Sequence, residues 1–117
     1  MYIPPEEVTS PKDSWRLLAV LYDQHEAAPA IALGTWEGRH VIAIRWNGEN
    51  LPNKELGNPQ SSGHATWFIL PESLGFAALQ TLAVKSGAGH SNVNPVGLAE
   101  ALKAFTGSLP LSEADEL

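Results

Sequence analysis

A chain of 117 residues with 44% hydrophobic and 17% charged residues has room for one folded domain with one core, and is too apolar to stay disordered. Seven Lys plus Arg against thirteen Asp plus Glu leave a formal net charge of −6, which argues against a broad grip on duplex nucleic acid. Cysteine is absent, which excludes disulfides, thiol nucleophiles and thiolate metal sites, and no apolar run reaches the roughly 18 residues of a membrane-spanning helix.

Residues 1–14 contain Pro4, Pro5 and Pro11 and read as an extended arm, with Tyr2 and Ile3 either laid across the domain or frayed. They have neither the basic start nor the apolar stretch of a secretion signal, so the cytoplasm is the expected location. Residues 15–22 (WRLLAVLY) form the first strand candidate, with a helix as its rival. Trp15, Leu17, Ala19 and Leu21 would face one way and Arg16, Leu18, Val20 and Tyr22 the other. Both faces are mostly apolar, which describes a central strand covered on both sides. His25, in the polar connection that follows, reads as a solvated loop histidine.

Residues 30–36 and 39–46 form the clearest element, a hairpin turning at Glu37-Gly38. Pairing Trp36 with Arg39 sets Thr35 opposite His40, Leu33 opposite Ile42 and Ile31 opposite Ile44. These pairs share a face with Trp46, and that face is expected to be the core. The other face carries Ala30, Ala32, Gly34, Val41 and Ala43, rimmed by Trp36, Arg39 and Arg45. Such a smooth face either lets a helix approach closely or floors a binding surface, with Trp36 and Arg39 as contact residues and Arg45 drawing an anion.

Residues 66–70 (TWFIL) read as a fourth strand, and Pro71 opens a helix near 72–85. That helix is apolar around most of its circumference, so it needs cover from the sheet and from a second element, be it the last helix, the arm or a second subunit. After a Gly/Ser/Asn loop holding His90, residues 95–105 form a shorter helix with a Leu98, Leu102 and Phe105 stripe; Gly107 stops it and residues 109–117 make a loose acidic tail. The whole is a single domain, 1–117, of the α+β class: a mostly antiparallel sheet of about four strands, near 15–22, 30–36, 39–46 and 66–70, with helices near 72–85 and 95–105 packed on it.

Residues 47–65 form a long connection rich in Asn, Gly, Ser and Pro, and loops of more than roughly 12–15 residues in compact domains tend to carry function. Its run Gly57–His64 concentrates neutral hydrogen-bonding groups. Backbone N–H groups there could form an anion-binding nest, which with Arg45 makes a phosphate or carboxylate site. The candidate ligand-binding set is Arg45, Asn47, Asn58, Gln60, Ser61, Ser62 and His64. The competing reading is that these groups satisfy one another and the loop's own backbone. No nucleophile elbow, phosphate-binding loop, zinc helix or dinucleotide fingerprint occurs. The histidines at 25, 40, 64 and 90 have no metal-ligand spacing, so neither metal nor cofactor is expected.

The combination Arg45-Trp46-Asn47-Gly48, Gly57-Asn58-Pro59-Gln60-Ser61 and Thr66-Trp67-Phe68-Ile69-Leu70-Pro71, preceded by Gly34-Thr35-Trp36-Glu37-Gly38-Arg39, resembles a pattern of small uncharacterised bacterial proteins. Some of these are of the kind carried as integron gene cassettes. The likeness covers roughly residues 34–71, implies no activity and assigns no residue a role; it favours a compact accessory protein, dimerisation included. The leading expectation is therefore a non-catalytic binding or protein-interaction domain that self-associates. A small-molecule or anion site in the 47–65 loop, catalytic or not, is the alternative. Stacking of single-stranded nucleic acid on Trp36, Trp46 or Trp67 is a third and weaker one.

Overall fold

Glu37 and Gly38 both take positive φ, 50° and 85°, as a two-residue type I′ turn requires. The turn joins β2 (Pro29–Trp36) to β3 (Arg39–Trp46), and Trp36 lies opposite Arg39, Leu33 opposite Ile42, Ile31 opposite Ile44 and Pro29 opposite Trp46. This is the register read from the sequence. Glutamate is strained in the left-handed region whereas asparagine tolerates it. Glu37→Asn is thus expected to stabilise the fold by about 0.5–1 kcal/mol, read as a higher urea midpoint at unchanged slope.

The structure, a computed structural model, describes residues 1–106; the acidic tail expected at 109–117 lies outside the described residues. The main sheet has the order β1–β2–β3–β6, with β1 at Trp15–Asp23 and β6 at Phe68–Ile69. All three of its pairings are antiparallel. Two helices, α1 (Glu72–Gly87) and α2 (Pro95–Thr106), pack on one face, so the fold is α+β as expected. A two-residue ribbon, β4 (Gln60–Ser61) with β5 (His64–Ala65), projects from the long connection.

Residues 15–22 do form a strand, but at the sheet's edge rather than its centre. The register against β2 slips between Leu17 and Ala19 and again between Val20 and Tyr22. Each slip reverses the alternation, so Trp15 and Leu17 belong to one face while Leu21 and Tyr22 both join the core on the other. Bulges of this kind twist an edge and make it a poor template for another strand.

The large-residue face holds the main core, where Leu33 and Ile42 lie under Leu79, Leu82, Leu98 and Phe105. Because β6 runs antiparallel to β3, the chain leaves it toward the hairpin turn. Helix α1 therefore starts at the turn end, with Gly75 against Ile42, and ends with the Lys85 ammonium 5.7 Å from the Tyr22 ring. Asn94 caps α2: its Oδ1 accepts from the Gly97 N–H at 3.1 Å, while its own N–H bonds to the Leu21 carbonyl at 2.8 Å. The cap thereby ties the helix to the edge strand.

The small-residue face is covered, though not by a helix. Trp15 and Trp67 lie on Ala30, Ala32 and Ala43, with Val8 from the arm completing the cluster. The two indole rings are 6.1 Å apart, and Trp67 Nε1 donates to the Val8 carbonyl at 2.7 Å. A Cβ on Gly34 would fall 2.2 Å from the Trp15 ring, so only glycine leaves the ring room. Indoles are thick enough to do what a helix was expected to do, and the arm is held by them instead of fraying: Val8 is 1% exposed.

Two helices do not cover the whole of the large-residue face. Its end away from the hairpin turn carries Pro29, Ile31, Ile44, Trp46 and Phe68, and stays open. Trp46 is 54% exposed and Phe68 56%, so the expectation that Trp46 sits in the core is corrected. The outer side of α1 is open too, at Leu74 and Val84: α2 and the sheet cover α1 on their own sides, and neither the arm nor any other described element reaches this one.

Candidate functional site

The connection from β3 to β6 is built around Arg45. Its side chain is 3% exposed. Nη1 donates to the Thr66 carbonyl, and Nη2 to the Leu56 carbonyl and, at 3.5 Å, to that of Trp46. The guanidinium carbon also lies 6.0 Å from the Trp67 ring. Burial pushes its pKa down to about 10, which leaves it charged at neutral pH. No carboxylate is within ion-pair distance of it among the described residues. Arg45 is a bracket that holds both ends of the loop: backbone carbonyls take Nη1 and Nη2, Nε is buried without a partner, and the side chain is closed to solvent rather than open to the expected anion.

Asn47 has a similar internal duty. It is 1% exposed, and its Nδ2 donates to Asp23 Oδ1 at 3.0 Å and to the His25 carbonyl at 2.9 Å. Its Oδ1 is buried without a hydrogen-bond partner. The Asp23 carboxylate also accepts the His25 backbone N–H at 2.8 Å and faces the His25 ring at 3.6 Å. These contacts lock the β1–β2 connection against the end of β3.

Beyond Asn47 the chain loops out and returns at Gly57, where φ is +66° and a Cβ would meet the Trp46 carbonyl oxygen at 2.1 Å. Asn58 then exchanges backbone hydrogen bonds with Trp46, at 2.8 and 2.9 Å. The Asn58–Pro59 peptide is cis. Gln60 Nε2 reaches back to the Gly57 carbonyl at 2.8 Å. Ser61 pairs with His64 across the β4–β5 ribbon, and Ser62 and Gly63, with φ of 51° and 79°, turn it.

The expected nest at Gly57–His64 is thus drawn out into a ribbon. Ser61, Ser62 and His64 stand exposed at its tip, outside the clefts at its base. Asn47, Asn58 and Gln60 do come together, and the residue they meet is Trp46. At the hairpin turn, Trp36 is half-buried against the small-residue cluster and Arg39 is exposed. Arg39 lines a separate hollow with His40 and Glu72. A row of three stacking tryptophans does not exist, because Trp67 is 7% exposed and only Trp46 of the three is open.

Trp46 separates two concavities. One, of about 680 Å³, is the apolar groove formed with Pro29, Ile31, Ile44, Pro59 and Phe68. The other, of about 470 Å³, is polar and is lined by Glu49, Asn53, Lys54, Asn58 and Gln60 beside it. Lys54 and Glu49 pair within the polar cleft at 3.9 Å. No family model, curated protein or solved structure matches this chain.

Among the described residues, no group of three His, Asp or Glu is placed to hold a metal ion, and no helix is long and apolar enough to cross a membrane. Sequence reasoning set the candidate site in this loop, and of its candidates the structure draws Asn47, Asn58 and Gln60 to one cleft. It assigned Trp46, Ile31 and Ile44 to a covered face and gave Phe68 no role. The overlooked signal was direction: a strand running back toward the hairpin turn starts its helix at that end, and the helix then crosses toward Tyr22 on β1, leaving the corner at Trp46 and Phe68 bare.

Proposed function

We propose that this is a non-catalytic interaction protein that pairs with a second copy of itself through the Trp46–Phe68 groove. The observation that carries the reading is the exposure of both aromatics, 54% and 56%, on the sheet face whose Leu33 and Ile42 row is buried. Exposed apolar patches of this kind mark association surfaces more often than they mark idle surface. Tryptophan is also the side chain most enriched among residues that dominate binding energy. A two-fold pairing would set the same groove on both chains against itself, with Trp46 of each packed near Phe68 of the other.

Sedimentation velocity tests this directly. The wild type is expected to move from monomer to dimer with a midpoint at micromolar concentration, and Trp46→Ala to weaken the dimer by about thirtyfold, equivalent to ~2 kcal/mol. Phe68→Ala should act in the same direction. A wild type that stays monomeric into the hundreds of micromolar, or a dimer indifferent to both substitutions, would overturn the reading.

A small-molecule site in the same loop is the second reading. The polar cleft supports it, because the side-chain amides of Asn53 and Asn58 in that cleft have no hydrogen-bond partner among the described residues. Its anion form has less to stand on, since Arg45 is buried and bonded to carbonyls and the charge of Lys54 is balanced by Glu49.

A further inference from the structure

Resting on that second reading, we infer that the polar cleft beside Trp46 binds a neutral carbohydrate, with one face of a sugar ring stacked on the indole and its hydroxyls held by side-chain amides. Four features of the cleft select that chemistry. The first is charge. Lys54 and Glu49 lie 3.9 Å apart and neutralise each other, and Arg45, directly behind the cleft, is buried and bonded to carbonyls. The lining of the cleft therefore carries no net charge that would select a phosphate, a carboxylate or an amine over a neutral ligand.

The second is the kind of polar group on offer. Asn53, Asn58 and the Oε1 end of Gln60 are open, while Gln60 Nε2 is tied to Gly57. A primary amide presents two N–H donors and a carbonyl acceptor side by side. A pair of neighbouring sugar hydroxyls, each both donor and acceptor, matches that arrangement, whereas a purely accepting or purely donating ligand uses half of it.

The third is the single aromatic wall. Trp46 is 54% exposed and bounds the cleft on one side, and the remaining side-chain lining is almost entirely polar. A nucleobase has two apolar faces and loses contact on one of them here. A pyranose has one C–H face to set against the indole and hydroxyls around the rest, so it leaves neither apolar surface wet nor polar groups dry. The volume of about 470 Å³ falls in the range of small-ligand sites.

The fourth is rigidity. Asn58 is fixed to Trp46 by two backbone hydrogen bonds, at 2.8 and 2.9 Å, and Asn53 sits in a turn closed by Glu49 N–H on the Lys54 carbonyl at 2.8 Å. The backbone that carries these groups is already placed, so binding has to order only their side chains. An open site with a few neutral hydrogen bonds still binds weakly, with dissociation constants on the order of millimolar.

The test is a titration followed by the tryptophan indole and side-chain amide signals in nitrogen–proton correlation spectra. The probes are methyl α-glucoside, methyl β-galactoside and N-acetylglucosamine, with glucose 6-phosphate and adenosine as the contrasting arms. At least one neutral sugar is expected to shift the Trp46 indole and the Asn53 and Asn58 amide signals saturably. Trp46→Ala should abolish the response. Asn58→Ala and Asn53→Gly, the latter keeping the positive φ at that position, should each weaken binding by about tenfold. Phe68→Ala, which lies in the apolar groove and not in this cleft, should leave sugar binding unchanged; that separates this inference from self-association. No saturable shift with any neutral sugar, a response to adenosine alone, or binding of glucose 6-phosphate about tenfold tighter than methyl α-glucoside would each overturn it.

Discussion

Arg45→Ala is expected to destabilise the fold by about 3–5 kcal/mol, a large part of the ~5–15 kcal/mol typical of a domain this size. The guanidinium joins the Leu56 and Thr66 carbonyls, one from each limb of the long connection, and lies over the Trp67 indole. Taking a cation out of water costs energy, and the fall of its pKa to about 10 records that cost. A shift of this size corresponds to roughly 3 kcal/mol against the charged form. Two charge-assisted hydrogen bonds return about 1.5–3 kcal/mol each, so the bracket breaks even or better. Truncation removes the donors but leaves the carbonyls buried, and each orphaned acceptor then costs about 1–3 kcal/mol.

The series Arg45→Lys, Arg45→Met and Arg45→Ala should therefore lose stability in that order. Lysine can serve one carbonyl and cannot span two, since it has no planar fork. Methionine keeps the packed stem but serves neither. Urea unfolding at unchanged slope reads the ordering. Because the guanidinium is charged in both folded and unfolded chains at neutral pH, its contribution should be flat from pH 6 to 8. An Arg45→Ala protein within about 1 kcal/mol of wild type would mean that water reaches both carbonyls and that the side chain is free for other work.

The contrast between Trp46 and Trp67 shows what was and was not legible in the sequence. The β2–β3 register could be read because two independent signals fix it: the period-two alternation, and a Glu-Gly turn that joins the strands through two residues. The fold class followed from the order of elements. What alternation could not say is how far along a face the cover extends. Trp46 and Ile42 share a face and differ only in distance from the turn, yet Ile42 is fully buried and Trp46 is 54% exposed. Coverage depends on where α1 lands, and that depends on the direction of β6, a tertiary fact.

The edge strand failed for a related reason. Apolar residues on both faces are the mark of a central strand, but here the second face of β1 is closed by its own Trp15 and by the arm, and bulges shuffle its alternation. At the site, composition drew attention to Ser61, Ser62 and His64, which the ribbon carries away from the clefts. A hydrogen-bonding side chain reads the same in sequence whether it faces a ligand, a carbonyl or solvent. Arg45 is the sharpest case: the sequence leaves open whether it meets a ligand or the loop's own backbone, and only the fold shows the carbonyls that it holds.

Gly57→Ala is expected to disable both concavities at once and to cost more than about 3 kcal/mol. The position has φ +66°, which costs an alanine about 1–2 kcal/mol before any contact is considered. The added Cβ would then lie 2.1 Å from the Trp46 carbonyl oxygen, 2.7 Å from the Gly48 nitrogen and 2.8 Å from Arg45 Nη2. Two of these three neighbours are backbone, so no rotamer change relieves the clash; the returning chain has to lift off the end of β3. Lifting it breaks the paired hydrogen bonds between Trp46 and Asn58 and pulls Leu56 away from Arg45. Asn58 and Gln60 would leave the polar cleft, and Pro59 would leave the apolar groove. A conservative surface-loop substitution should thus lower stability as a core substitution does, while Gly63→Ala, at φ +79° with nothing within 4 Å of the added Cβ, should cost only the backbone strain of about 1–2 kcal/mol. Comparing the two variants by urea unfolding isolates the close approach from the positive φ. Equal losses would show that the strand–loop contact at Gly57 does not hold the site together.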